Sequence, residues 1–214
     1  MSSSASLEGD ERLRLFLALV LPDRVSRSLA AWGRQHLVRG SASRSQASRS
    51  QASRSRPLEH FHITLAFLGA RPRTELEGIV AALRDAAATT RPFTLEVVRY
   101  RETRSVGMLV LDDPTGEATG LAERLHARLE ALGSYRREAR PWLPHVTVLR
   151  FRERPRLDPP VGPLREEVGA FAPSEAAAFL SRLHPSGARY EILERCELRQ
   201  HQPKQGQPDV CEGG

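Results

Sequence analysis

The chain has 214 residues, 27% of them charged, with a formal charge of +6 and an isoelectric point near 10.3. That length fits one large domain or two small lobes over a shared core, and the basic balance favours anionic partners, nucleic acid and phosphate esters foremost. Two cysteines, Cys196 and Cys211, exclude a disulfide framework or a cysteine metal cluster. The longest apolar run near the N-terminus, Leu15 to Leu21, is too short to cross a bilayer and follows acidic Glu8, Asp10 and Glu11. Neither a membrane span nor a signal peptide is expected, and the cytoplasm is the expected compartment.

Residues 1–10 are Ser-rich and polar and read as a disordered N-terminus; a folded domain is expected over 11–199 and a flexible tail over 200–214. "RLFLALVLPD" reads as a buried strand ended by Pro22. Pro22 suits the first turn of a helix in which Val25, Leu29, Trp32 and His36 or Leu37 recur at helical spacing. From 40 to 56 the chain repeats Ala-Ser-Arg-Ser-Gln without one large apolar side chain. Such a segment cannot offset the entropy of ordering itself and reads as a disordered basic insertion, which a surface loop tolerates at little cost.

"RPRTELEGIVAALRDAAA" carries a capping box, Thr74 with Glu77, ahead of a helical stripe of Leu76, Ile79, Val80 and Leu83. "FTLEVVRY" and "SVGMLVLDD" read as two strands of a hairpin. "GLAERLHARLEALG" is an amphipathic helix with Leu121, Leu125, Leu129 and Leu132 on one side and Gly133 at its end. After a Pro-rich stretch, "AAAFLSRLHPSGARYEILERCEL" reads as two strands around a Pro-Ser-Gly turn.

Two strands between these elements carry the same pattern. "EHFHITLAFLG" contains His62-Ile63-Thr64-Leu65, and "PWLPHVTVLR" contains His145-Val146-Thr147-Val148. Seven His and nine Thr in the chain give about 0.3 His-x-Thr pairs by chance, so two, both inside apolar-alternating strands, point to a shared task. The pairs stand 83 positions apart, and each is followed by an Arg-Pro step and then a strand pair, which predicts two matching α+β lobes around a cleft. Alternation along a strand sets His62 beside Thr64 on one face with Ile63 and Leu65 behind, and His145 beside Thr147 in the same way.

Two imidazoles suit phosphodiester cleavage. One takes a proton from the attacking hydroxyl or water, and the other gives a proton to the departing oxygen across an in-line phosphorus. An unperturbed imidazole, with a pKa of about 6.5, exchanges protons readily near neutrality, and threonine hydroxyls can bond the non-bridging oxygens. No metal or other cofactor is called for.

The two stretches, the opening "RLFLALVLPD", the Phe-Leu-Gly after the first motif, the Pro before His145 and the closing "LHPSGARYEIL" resemble the 2H phosphoesterase superfamily over about residues 12–198. Within it they resemble the 2'-5' RNA ligase (LigT-like) branch, also called RNA 2',3'-cyclic phosphodiesterases. The resemblance implies a bilobal α+β fold of pseudo-two-fold duplicated antiparallel sheets, with outer helices and a central cleft. It also implies metal-independent hydrolysis of RNA 2',3'-cyclic phosphate ends to 2'-phosphates. RNA ends or small cyclic nucleotides are the expected substrates, and a monomer with no membrane partner is expected. Carried over by residue, His62 is the proton donor, His145 the proton acceptor, Thr64 and Thr147 hold the phosphate, and Arg150 is a further phosphate contact. On a regular strand the odd offset of Arg150 from His145 would turn it to the opposite face. The Ser/Arg repeat departs from the family, which has a short connection there.

The same residues would also serve 2'-5' ligation, and an Arg-rich RNA-binding protein on this fold is the alternative from another class. His60 invites a zinc reading with His62 and His145, but no carboxylate or cysteine stands in register and Thr is a poor ligand. His36, His126, His184 and His201 are expected to be structural or solvated. Phe61 and Phe67 are expected in the core, and Trp142 is a candidate platform for a nucleobase.

Overall fold

The computed structural model describes residues 11–37, 61–151, 154, 156–184 and 187–198. The Ser/Arg repeat, His60, both terminal segments and the tip of the last hairpin lie outside them.

Seven strands form one antiparallel sheet: β1 (Arg12–Val20), β2 (His62–Pro72), β3 (Glu96–Glu102), β4 (Val106–Asp112), β5 (His145–Arg150), β6 (Glu175–His184) and β7 (Gly187–Glu197), in the order β3-β4-β5-β2-β1-β6-β7. The two motif strands, β2 and β5, are neighbours at its centre, and one residue pair, Ile63 with Val146, joins them. The duplication is visible in the chain path. β1 and β2 are antiparallel neighbours connected through α1 (Asp23–His36), and β4 and β5 are antiparallel neighbours connected through α3 (Glu117–Ala131). The strand pair after each motif crosses to the other half: β3 and β4 extend the sheet beyond β5, while β6 and β7 extend it beyond β1.

The helices of the described residues cover one face. Leu13, Leu15, Leu17 and Leu19 of β1, Ile63 of β2 and Val146 of β5 meet Val25, Leu29 and Trp32 of α1, Ile79 and Leu83 of α2 (Leu76–Ala88), and Leu121, Leu125 and Leu129 of α3 in a single core. Strand alternation accounts for the split, since every second residue of β1 falls on the helix side. The opposite face carries a smaller cluster, Phe16, Ala18, Ala177 and Phe179, with no helix of the described residues in it.

Most expected elements form, and four details differ. Pro22 is the N-cap of α1 and stands just outside its first turn, and Leu37, not His36, completes its buried stripe. The capping box does not form: a 3-10 turn, Arg73–Glu75, leads into α2, and Glu75 accepts a hydrogen bond from the Ser134 hydroxyl at 2.7 Å. Leu132 lies past the end of α3 and is half exposed, while Asp113 extends the front of that helix by accepting from the Thr119 amide at 2.8 Å. The Pro-rich stretch holds a short helix, α4 (Gly162–Val168), packed on β3 and α1; its Pro163 at the start is compatible with a first helical turn.

Candidate active site

The pair Ile63–Val146 is the centre of the site. Both residues are buried in the core, so their neighbours on each strand point to the open face. His62, Thr64, His145 and Thr147 are all partly exposed there. The antiparallel register set by that one pair puts His62 across from Thr147 and Thr64 across from His145. The two histidines are therefore diagonal neighbours, for which backbone separations run about 7–8 Å. The four side chains are related by a local two-fold through the Ile63–Val146 pair.

Each motif strand then carries a bulge at the same place. Along β2, Ala18 pairs with Thr64 and Leu17 with Ala66, which leaves Leu65 as an extra residue. Along β5, Met108 pairs with Thr147 and Gly107 with Leu149, which leaves Val148 as an extra residue. Leu65 and Val148 each stand three positions after their histidine. An extra residue reverses the alternation beyond it. Leu65 with Ala66, and Val148 with Leu149, therefore all enter the core. Five positions after each histidine the next side chain returns to the open face: Phe67 in β2, paired with Phe16, and Arg150 in β5, paired with Val106. Arg150 thus shares the face of His145 and Thr147 despite its odd offset. Phe67 is not a core residue; it is 50% exposed, with the Arg14 guanidinium 4.8 Å above its ring.

Side chains from the second half hold the first bulge. The Trp142 indole N–H donates to the Thr64 carbonyl at 2.9 Å, and the ring of buried His126 donates through Nε2 to the Leu65 carbonyl at 2.8 Å while packing on Tyr135. A carbonyl can only accept, so the Nε2 of His126 carries its proton. Trp142 is held by this contact and packs in part against the core.

The surroundings of the two histidines differ. Small Ala18 and Ala177 leave room for the His62 ring to lean over an aromatic floor: Phe16 at 4.8 Å, Phe179 at 5.8 Å and Tyr190 edge-on at 5.5 Å, with Phe16 and Phe179 stacked on each other. His145 has aliphatic Val110 directly across from it. Its Nδ1–H donates to the Leu143 carbonyl at 2.8 Å, which leaves Nε2 as the proton-accepting nitrogen of the neutral ring. The sequence "LPH" makes that bond local. The chain after β5 is fastened by Glu102, whose buried carboxylate accepts from Arg154 Nε, from the Arg156 and Leu157 amides and from the Tyr100 hydroxyl. Burial, followed by the Glu102 charge, pushes the Tyr100 hydroxyl well above its ordinary pKa. Gly107 is required beneath it, since a β-carbon there would lie 2.2 Å from the Tyr100 oxygen.

Residues 28–185 match the family model of the 2'-5' RNA ligase superfamily, which covers well over half of the chain. The chain belongs to that superfamily. Within it, the chain is 30% identical over 208 residues to a Thermus thermophilus RNA 2',3'-cyclic phosphodiesterase, spanning 91% of this chain and 96% of that protein. Among solved structures the fold matches Escherichia coli LigT complexed with 3'-AMP, with a TM-score of 0.68 at 23% identity, over 89% of this chain and 100% of that one. A solved structure from Thermus thermophilus matches with a TM-score of 0.67 at 27% identity and the same coverage. This member of the superfamily has the bilobal α+β plan, and no helix among its described residues is long and apolar enough to cross a membrane.

Proposed function

We propose that the chain hydrolyses RNA 2',3'-cyclic phosphate ends to 2'-phosphomonoesters, with His62 as general acid and His145 as general base. The observation that carries this reading is the diagonal pair of histidines about the Ile63–Val146 two-fold, with His145 tied through Nδ1 to Leu143. A phosphate centred between Thr64 and Thr147 would have one imidazole on each side, as in-line displacement requires. Nε2 of His145 takes a proton from water, the water oxygen bonds to phosphorus, and the bond from phosphorus to the 3' oxygen breaks. His62 gives that oxygen its proton. The 2' ester bond stays, which leaves a 2'-phosphate and a 3'-hydroxyl. Thr64 and Thr147 bond the non-bridging oxygens, and Arg150, returned to this face by its bulge, offsets the charge that builds on them.

The relative named RNA 2',3'-cyclic phosphodiesterase supports the substrate. Ligation of a 2',3'-cyclic end to a 5'-hydroxyl would use the same residues in the same roles, with that hydroxyl in place of water as the nucleophile. The test is turnover of a 2',3'-cyclic nucleotide and of a short RNA with that end in excess EDTA, with the product isomer identified. A 2'-phosphate as product is the expected result. A 3'-phosphate, or complete dependence on added metal, would overturn the assignment.

A further inference from the structure

The open face does not stop at the two motifs. Across β5, His145 pairs with Val110 and Thr147 with Met108; across β4, Val110 pairs with Arg99 and Met108 with Arg101. Residues directly opposite in an antiparallel sheet share a face, so Arg99 and Arg101 lie in the two rows that run through His145 and Thr147. Their shared neighbour Tyr100 points the other way, into the core against Trp32, as alternation demands. Arg99 and Arg101 are exposed, and their side chains make no ion pair or hydrogen bond among the described residues. Arginines elsewhere are often neutralised, as in Arg73–Glu11, Arg84–Glu194, Arg91–Glu117 and Arg182–Glu191. The matching rows on the other flank of the site end differently: Val20 pairs with Glu175, Glu175 with Glu197, and Arg195 is ion-paired to Glu175. The two rows through the site therefore end in Arg99 and Arg101 on β3, with exposed Glu96 and Asp112 one row further on, and in opposed charges on β6 and β7.

We infer that Arg99 and Arg101 bind the backbone phosphates of a single-stranded RNA on the 5' side of its reacting end. Two strand spacings separate them from the motif on β5, about 10 Å along the face. An extended strand covers that span with its adjacent or next phosphate. Guanidinium groups take phosphate oxygens in pairs, and an arginine stem is long enough to reach from Arg99 or Arg101 towards the cross-strand partner, Val110 or Met108. The substrate class is then an RNA oligonucleotide whose terminal cyclic phosphate enters between the histidines and whose chain leaves over β4 and β3, away from Glu175 and Glu197. This rests on the hydrolytic reading only for what happens at the end of the strand.

The test compares wild type with the full-length R99Q/R101Q double variant on two substrates, a 2',3'-cyclic mononucleotide and a short single-stranded RNA ending in 2',3'-cyclic phosphate. For the RNA, kcat/KM should fall about tenfold or more at low salt, and the slope of log affinity against log salt should flatten by about 1.4, two phosphates at about 0.7 each. The mononucleotide should be unaffected. An R99K/R101K variant should restore the slope, since charge is kept. Equal losses on both substrates, or no loss on either, would overturn the inference. Binding of an RNA ending in 2'-phosphate, followed against salt, reads the arginines without turnover. If wild type turns over neither substrate yet this binding depends on Arg99 and Arg101, the hydrolytic proposal fails and the phosphate track stands. If the binding ignores both arginines, the track fails whatever the activity.

Discussion

The two halves of the site share a backbone and differ in their side chains. Both motif strands present His-x-Thr to the open face, both bulge three residues after the histidine, and both return a side chain to that face two residues later. There the likeness ends. In the first half the returned residue is Phe67 and the histidine lies on Phe16, Phe179 and Tyr190; in the second it is Arg150, and the histidine is fixed by a backbone carbonyl beside aliphatic Val110. Duplication has kept the device that aims side chains and varied what is aimed. Under the proposed mechanism, these different surroundings are what distinguishes the imidazole that acts as acid from the one that acts as base.

The largest expected effect comes from removing either imidazole. His62→Ala and His145→Ala should each lower kcat by about 10²–10⁴, and the double variant should lose less than the product, because the pair acts as a unit. Steady-state kinetics on the mononucleotide decides it, and near-wild-type turnover in one variant would break the equivalence of the halves. A middle-sized effect should follow Trp142→Phe, which keeps an aromatic ring of smaller size and deletes the donor to the Thr64 carbonyl. Leaving that acceptor unsatisfied should cost about 1–3 kcal/mol in denaturant unfolding. If the bulge loosens with it, kcat should drop about tenfold for each 1.4 kcal/mol lost at the transition state. A loss of stability with kcat intact would mean that the second half supports the first without aiming it. Phe67→Ala should be the smallest, within about 0.5 kcal/mol of wild type in stability because the ring is half exposed. A larger loss would make Phe67 part of the fold and sever its likeness to Arg150.

The histidine and threonine positions were legible because alternation is a local rule: Ile63 and Val146 are apolar, so their neighbours must face away. The bulges were not. "TLAFLG" and "TVLRF" run on through consecutive apolar residues, and an apolar run hides the single residue at which the phase slips. The faces of Phe67 and Arg150, both downstream of a slip, were hidden with it. The adjacency of β2 and β5 was likewise out of reach, since it joins segments 83 positions apart through one residue pair. His126 reads from sequence as an ordinary helix residue; its bond to the Leu65 carbonyl exists only because the bulge turns that carbonyl out of the ladder.

Strand β3 is an outer strand of the sheet. An outer strand offers unpaired amides and carbonyls to any other extended chain, and crowded positive charge is one of the common ways to discourage that pairing. Arg99, Arg101 and the exposed Arg104 in the turn beyond supply such charge on β3. Two copies of this strand approaching edge to edge would bring like charges together, which disfavours pairing through this edge. Neutralising them would expose a strand that also carries the half-exposed Val98, and such a protein would sediment as larger species at concentrations where wild type does not.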